Sequence, residues 1–292
     1  MDQAHSSSSF HTVGIVGVGL IGGSIGLALK KHGLANEVLG VGRSVANLET
    51  AIKHGLIDRI TDLEQMACVA DLIIVCAPVA QTQSIFAGIL PHLKEHAIVI
   101  DVGSTKMDVI QAGKEAFGER IHQLIACHPI AGGAQHGASA AKGDLFEKKQ
   151  VMICPMFENR PPDIDRIEQL WKALGAEVYK MSALEHDHIF AAVSHLPHLL
   201  SYALMLQVAN APDADKKFVH AGAGFRDFTR IAGSSPEMWT DICFANREAL
   251  LKELDGYLAV VEQMKKAIQN TDAKLLEKMF QIASNSRNDW QG

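Results

Sequence analysis

The chain has 292 residues, of which 48% are hydrophobic and 21% charged, so it can bury at least one full-sized core and is too apolar to be disordered. Its 27 Lys and Arg are outweighed by 33 Asp and Glu, a formal net charge of -6 that lacks the basic footprint of a nucleic-acid binder. Apolar stretches such as 71–80 and 191–211 are too short, or too interrupted by His and Pro, to cross a bilayer, and no membrane span is expected.

The first residues carry Asp2 and a serine run from Ser6 to Ser9, with no basic start leading into an apolar segment. They read as a loose tail on a cytoplasmic protein without a signal peptide. Five cysteines (Cys68, Cys76, Cys127, Cys154, Cys243) are scattered with no C-x-x-C pair, which fits a reducing compartment. Cys76, Cys127 and Cys154 close apolar β-type runs, where a thiol behaves as a small hydrophobe. His195 and His198 lie three apart, without the i, i+4 spacing and intervening Glu of a helical zinc site, and no metal is expected.

From Thr12 to Tyr179, short β-branched runs (12–17, 38–42, 71–77, 97–102, 121–127, 151–155 and 176–179) alternate with helix-length amphipathic segments. Strands buried on both faces and separated by helices predict an α/β Rossmann-type, doubly wound parallel sheet. Pro161 and Pro162 read as a helix start, leading into a helical segment over 164–174. From Ser182 onward the stretches 183–209, 236–269 and 272–286 keep helical spacing and no β-rich run recurs, which predicts an all-α second half. The expected division is a dinucleotide-binding domain over 1–181 and a helical substrate and dimerisation domain over 182–292, with no appended regulatory domain.

The first run leads directly into Gly17-Val-Gly19-Leu20-Ile21-Gly22, which opens a helix. Gly17 permits the tight turn, Gly19 lets backbone approach a pyrophosphate, and Gly22 lets helix pack on strand; the first N–H groups of the helix, from Leu20 and Ile21 on, then face the phosphates. The second run ends at Gly42-Arg43-Ser44, without the acid that usually bonds an NAD ribose. Arg43 offers a guanidinium, and Ser44 a hydroxyl, where a 2'-phosphate would lie, so NADP is expected over NAD. The third run ends at Pro78, which starts the next helix beside the cofactor crevice, and the fourth runs into Asp101-Val-Gly103-Ser104-Thr-Lys106. Ser104 and Lys106 are placed to reach a nicotinamide or substrate, and Ser104 could equally cap a helix. The fifth run ends at His128, a residue type that accepts a proton near neutral pH and so a candidate base.

Three motifs of the first half, Gly17-x-Gly19-Leu20-Ile21-Gly22-Gly23-Ser24, Asp101-x-Gly103-Ser104-x-Lys106 and His128-Pro-Ile-Ala-Gly132, resemble the prephenate and arogenate (cyclohexadienyl) dehydrogenases of tyrosine biosynthesis. The helical half extends the resemblance through Glu185-His186-Asp187, Ser194-His195-Leu-Pro197-His198, Gly224-Phe-Arg-Asp227-Phe-Thr-Arg230 and Ser235-Pro236-x-Met-Trp239. The resemblance implies oxidative decarboxylation of prephenate to 4-hydroxyphenylpyruvate or of arogenate to tyrosine. His128 would then take the ring-hydroxyl proton, with Ser104 bonding that histidine or the hydroxyl. Arg230 would clamp a carboxylate, and His198 would be a second substrate histidine. His186 and Asp187 would support the site or a helix start, and Trp239 the core. The resemblance also implies a homodimer through the helical half.

Gly133-Ala134 departs from the family pattern by lacking a polar side chain, which leaves prephenate against arogenate open. Two other readings stand beside this one: another two-domain NAD(P)-dependent hydroxy-acid dehydrogenase, and a non-catalytic dinucleotide-binding protein. The joint presence of Ser104, His128, His198 and Arg230 favours the first.

Overall fold

Strand β1 (Phe10–Val16) is buried at every position but His11, which only a central strand covered on both faces allows. A computed structural model describes residues 9–133 and 135–290. The loose tail expected at the N-terminus and the family departure at Ala134 fall outside the described residues, the tail except for Ser9. Parallel to β1 run β2 (Ala35–Val41) on one side and β4 (Leu72–Val75) on the other. The strands β3 (Arg59–Ile60), β5 (Ile98–Asp101), β6 (Leu124–Pro129), β7 (Gln150–Cys154) and β8 (Glu177–Lys180) complete an eight-stranded sheet of order β3-β2-β1-β4-β5-β6-β7-β8. Its first six strands have the order of a dinucleotide-binding sheet. The exposed, two-residue β3 was not among the expected runs, because it has no apolar pattern to read.

The last two strands depart from the all-parallel expectation. β7 runs antiparallel to β6, and β8 is parallel to β7. Among the described residues between β6 and β7 the helical structure is a 3-10 turn, Ala138–Ala140, in place of the crossover helix that a parallel return needs.

Side-chain alternation along the strands splits the core in two. Val13, Ile15, Leu72, Ile74, Ile98 and Ile100 face α1 (Leu20–Lys31), α2 (Val45–Lys53) and α6 (Pro161–Ala173). Val16, Ile73, Val75 and Val99 face α3 (Leu63–Val69), α4 (Thr82–Ile89) and α5 (Met107–Phe117). Cys127 and Cys154 are buried, and burial pushes the Cys154 thiol up to about 12, as expected of core thiols.

The second half is helical throughout the described residues: α7 (Ala183–Phe190), α8 (Leu196–Ala209), α9 (Ala214–Val219), α10 (Ala223–Thr229), α11 (Pro236–Ala245), α12 (Arg247–Gln269) and α13 (Ala273–Asp289). A π-helical turn, Ala191–His195, joins α7 to α8 immediately before Pro197, whose missing N–H a regular helix would have to absorb. By length and composition Ala183–Ala209 is apolar enough to cross a membrane, yet it buries His186, Asp187 and His195 against the sheet half and its own neighbours. The halves meet where α7 packs on α5 and β7, and where α11 packs on the turn Val79–Gln81 that follows Pro78. The turn after β4 and the helix after β5 thus meet the helical half beyond the carboxyl ends of the parallel strands, where open sheets of this kind form their ligand crevice.

Candidate active site

One wall of the crevice is the glycine turn. Gly17 has φ +95, and a Cβ there would stand 2.7 Å from the Cys76 carbonyl oxygen, so the turn is closed to other residues. A Cβ at Gly22 would collide with the Gly17 carbonyl, whereas at Gly19 it would meet nothing within 4 Å. Backbone at Gly19 is thus open to a close-approaching group. α1 starts with no side-chain cap and no acid in its first turn, leaving the N–H groups of Leu20 and Ile21 outward for an anion. These residues fit a dinucleotide pyrophosphate.

Arg43, past the end of β2, is exposed and makes no hydrogen bond or ion pair among the described residues. Ser44 caps α2 by accepting from Asn47 N at 3.3 Å, so its own hydroxyl proton remains available. Asn47 ties the glycine turn to the segment after β6: its Nδ2 donates to Val18 O at 2.7 Å and its Oδ1 accepts from Ala138 N at 2.8 Å. Between that segment and α1 lies a cavity of about 270 Å³ lined by Leu20, Gly132, Gly133, Gln135 and Lys142 among others.

At the centre stands His128, half-buried at the penultimate position of β6, with Nδ1 at 2.8 Å from His186 Nε2. His186 is fully buried on α7, and its Nδ1 lies 2.8 Å from Asp187 Oδ1. The carboxylate can only accept, so His186 Nδ1–H donates to it and His186 Nε2 carries a lone pair. His128 Nδ1–H therefore donates to His186, and His128 Nε2 is left carrying a lone pair. Phe190 packs edge-on against the His128 ring, with centroids 5.0 Å apart. Burial, then the neighbouring His186, Lys106 and His195, hold His128 well below the ordinary histidine value, so it is neutral and ready to accept a proton at neutral pH.

Asp187 also caps a helix of the other half. Its two oxygens accept from Lys106 N and Met107 N, each at 2.9 Å, at the start of α5. Burial pushes this carboxyl up, but the bonds from His186, Met107 and Lys106 outweigh it and hold it below the ordinary carboxylate value. α5 needs no cap from Ser104, whose hydroxyl bonds neither His128 nor the helix. Ser104 is half-buried, and its hydroxyl has no partner among the described residues. Lys106 does not reach the crevice: its side chain is turned inward, with Nζ on Asp101 Oδ2 and on Cys127 O. The expected contact of Lys106 with a nicotinamide or substrate is therefore not made, because Asp101 draws the ammonium into the sheet half.

From the helical half, His198 stacks on Trp239 with centroids 3.6 Å apart and donates from Nδ1 to Ser194 O at 2.9 Å, leaving Nε2 without a partner among the described residues. Burial lowers its proton affinity; the Ser194 carbonyl opposes this and the nearby Arg230 guanidinium adds to it. Arg230 is exposed at the start of a 3-10 turn, Arg230–Gly233. That turn is held to α8 on both sides, by Ser201 Oγ donating to Phe228 O at 3.0 Å and Tyr202 OH donating to Ser234 O at 2.7 Å. Trp239, expected only in the core, forms one wall of the His198 site.

Between the two histidines lies His195, wholly buried and lowered to about 4 by burial. Asn246 Nδ2 donates to its Nδ1 at 3.1 Å and to Asp187 O at 2.7 Å. The motifs around His186 and His195 were visible in the sequence, but the relay through them was not, because its links span 58 and 51 residues.

Comparison with known proteins agrees with this geometry. Residues 25–180 match the family model described as prephenate dehydrogenase, nucleotide-binding domain, and residues 182–282 match prephenate dehydrogenase, dimerization domain. The prephenate dehydrogenase of Bacillus subtilis (strain 168) is 33% identical over 281 residues, covering 94% of this chain and 75% of that protein. The crystal structure of prephenate dehydrogenase from A. aeolicus with hydroxyphenyl propionate and NAD+ superposes with a TM-score of 0.90 at 30% identity, covering 97% of this chain and 99% of the other. Synechocystis arogenate dehydrogenase gives a TM-score of 0.80 at 30% identity over 95% of this chain and 99% of its own. The chain is an oxidoreductase with a dinucleotide-binding half, and it belongs to the prephenate dehydrogenase family.

Proposed function

We propose that this enzyme oxidises and decarboxylates prephenate or arogenate with a nicotinamide dinucleotide, in tyrosine biosynthesis. The observation that carries the reading is the His128–His186–Asp187 relay, which engages Nδ1 of His128 and leaves its Nε2 without a partner among the described residues. His128 Nε2 takes the proton of the ring hydroxyl as hydride leaves the carbinol carbon. When bound, the nicotinamide supplies the hydride acceptor. Loss of carbon dioxide then leaves an aromatic ring, whose oxygen takes a proton back. His186 and Asp187 hold the His128 ring in the tautomer that can accept and stabilise the imidazolium that forms. Ser104 holds the hydroxyl, with its own oxygen uncommitted. Arg230 grips a substrate carboxylate and His198 bonds the substrate from the Trp239 side.

Arg43 and Ser44 support NADP as the preferred cofactor over NAD, since no acid stands where a ribose 2'-hydroxyl would be bonded and the guanidinium is free to take a phosphate. We divide the chain into a cofactor domain ending at Met181 and a substrate and dimerisation domain from Ser182. A homodimer through the latter is supported by the apolar surface of α12 and α13, where Leu258, Val260, Ile268, Phe280 and Ile282 are exposed.

The test is formation of reduced nicotinamide with prephenate or arogenate, each paired with NADP or NAD. Turnover in at least one pairing, strongest with NADP, is the expected result. Silence in all four from folded protein that binds the cofactor would overturn the reading.

A further inference from the structure

Lys106 is one of the largest side chains in the molecule with no exposure at all. Its ammonium donates to Asp101 Oδ2 and, at 2.7 Å, to the carbonyl of Cys127. Asp101, also buried, accepts from Cys127 N at 3.0 Å on one oxygen and from Gly103 N at 2.8 Å on the other. The two side chains thus grip both the N–H and the C=O of the residue that precedes His128. The position is telling, because the β5–β6 ladder stops at Ile100 and Ile125. Beyond that point β6 is held from the β5 side by the Lys106–Asp101 pair, and from the other side by its antiparallel pairing with β7. Through its main-chain N–H, Lys106 also bonds Asp187 at the far end of the relay.

Burying a lysine and an aspartate costs several kcal/mol per ion before their attraction is counted, and apolar residues of similar volume often serve stability as well or better. The pair therefore calls for a role other than stability. We propose that the buried Lys106–Asp101 pair is a positioning device for the His128 base, holding the end of β6 at the register that aims Nε2 into the crevice. This rests on the reading of His128 as the base.

The charge has a second effect. The groups facing His128 are His186 and Asp187 from α7, His195 from the π-helical turn, and Lys106 with Asp101 from the β5–α5 connection. Of these, Lys106, His186 and His195 disfavour its protonated form. Removing the ammonium makes protonation easier, so the acid limb of activity moves to higher pH. That displacement reports the ammonium's charge at His128, whereas a lower kcat at unchanged cofactor Kd reports its hold on the position of the ring.

The test compares the full-length wild type with the neutral pair Asp101→Asn/Lys106→Met, which removes both buried charges together. Expected are a kcat about 10- to 100-fold lower, from misplacement of the base, a cofactor Kd within about twofold of wild type, and an acid limb of the kcat/KM profile displaced upward. A kcat within about threefold of wild type would overturn the proposal whether or not the acid limb moves. Should the double variant not fold, Asp101→Glu keeps both charges and lengthens only the grip; the same kcat loss is expected, and wild-type kcat would be fatal to the idea. An inactive wild type overturns the functional reading and this inference with it, whereas an active wild type beside an unimpaired variant overturns the inference alone.

Discussion

The sheet half and the helical half solve burial differently. β1, β4, β5 and β6 are enclosed on both faces by helices, and side chains as large as Trp171, Phe86 and Phe146 are sealed within. In the helical half α13 has no buried residue, and α12 buries only Ala249, Leu250 and Ala267 over its whole length. An open groove on α13, lined by Leu276, Phe280 and Ser284 among others, adds to the unsealed surface. The sheet half seals its core within one chain, whereas the helical half leaves apolar residues of α12 and α13 uncovered, which is the ground for the dimer proposed above. The proposed chemistry divides along the same line: the proposed base His128 and the glycine turn sit on the sealed scaffold, and the proposed substrate grip of His198 and Arg230 on the unsealed one.

This division predicts which kinetic constant each half controls. His128→Asn should lower kcat by about 10² to 10⁴, the range for removing a general base, while cofactor binding measured by fluorescence titration is retained. A kcat close to wild type would take the base out of the sheet half and break the comparison. On the helical side Arg230→Ala should chiefly raise the substrate KM, by about 10-fold or more for a lost charge-assisted carboxylate bond, with a smaller change in kcat. If kcat fell and KM stayed constant, the grip would lie elsewhere.

Arg43→Ala sharpens the cofactor side. The loss of a free guanidinium should weaken NADP by about 10-fold and leave NAD nearly unchanged, as read from the two Kd values. Equal losses for the two cofactors would remove Arg43 from the 2'-phosphate site. Phe280→Glu places a charge in the exposed apolar face of α13 and should shift the elution of the protein toward the monomer, with the sheet half still folded by circular dichroism. Unchanged elution would mean that the second copy docks on another face.

The two halves also differed in how far the sequence could be read. The strands of the sheet half were legible because each is an unbroken β-branched run, and the glycine turn because its strand and helix flank it. The reversal of β7 was not, since it depends on the described residues of the 130–149 segment forming no crossover helix, which no periodicity announces. The two-residue β3 carries no apolar signal. In the site, His128, His198 and Arg230 stood out as residue types in motifs. The inward turn of Lys106, the capping of α5 by Asp187 and the stacking of His198 on Trp239 are contacts between residues far apart in the chain. Sequence spacing holds information about such contacts only once the topology is known.

The seam between the halves is lined with histidines, and it sets the smallest of the expected effects. His128, His186, His195 and His198 are all held below the ordinary histidine value by burial, His195 to about 4. In the unfolded chain each titrates near 6.5, so below that pH the unfolded state binds more protons than the folded one, and stability falls as pH falls. The contribution of these groups is complete above about pH 6.5 and is lost through the window down to about pH 4 for His195. Asp187, held below the ordinary carboxylate value, acts in the same direction at still lower pH. The melting temperature should therefore drop by on the order of 5 °C or more between about pH 7 and about pH 4.5, while remaining flat between about pH 7 and about pH 8. A melting temperature that does not change down to about pH 4.5 would mean that the seam opens to water and protonates its histidines without cost. The halves would then be coupled by the polar chain through Asp187 and Asn246 far more loosely than their buried bonds imply.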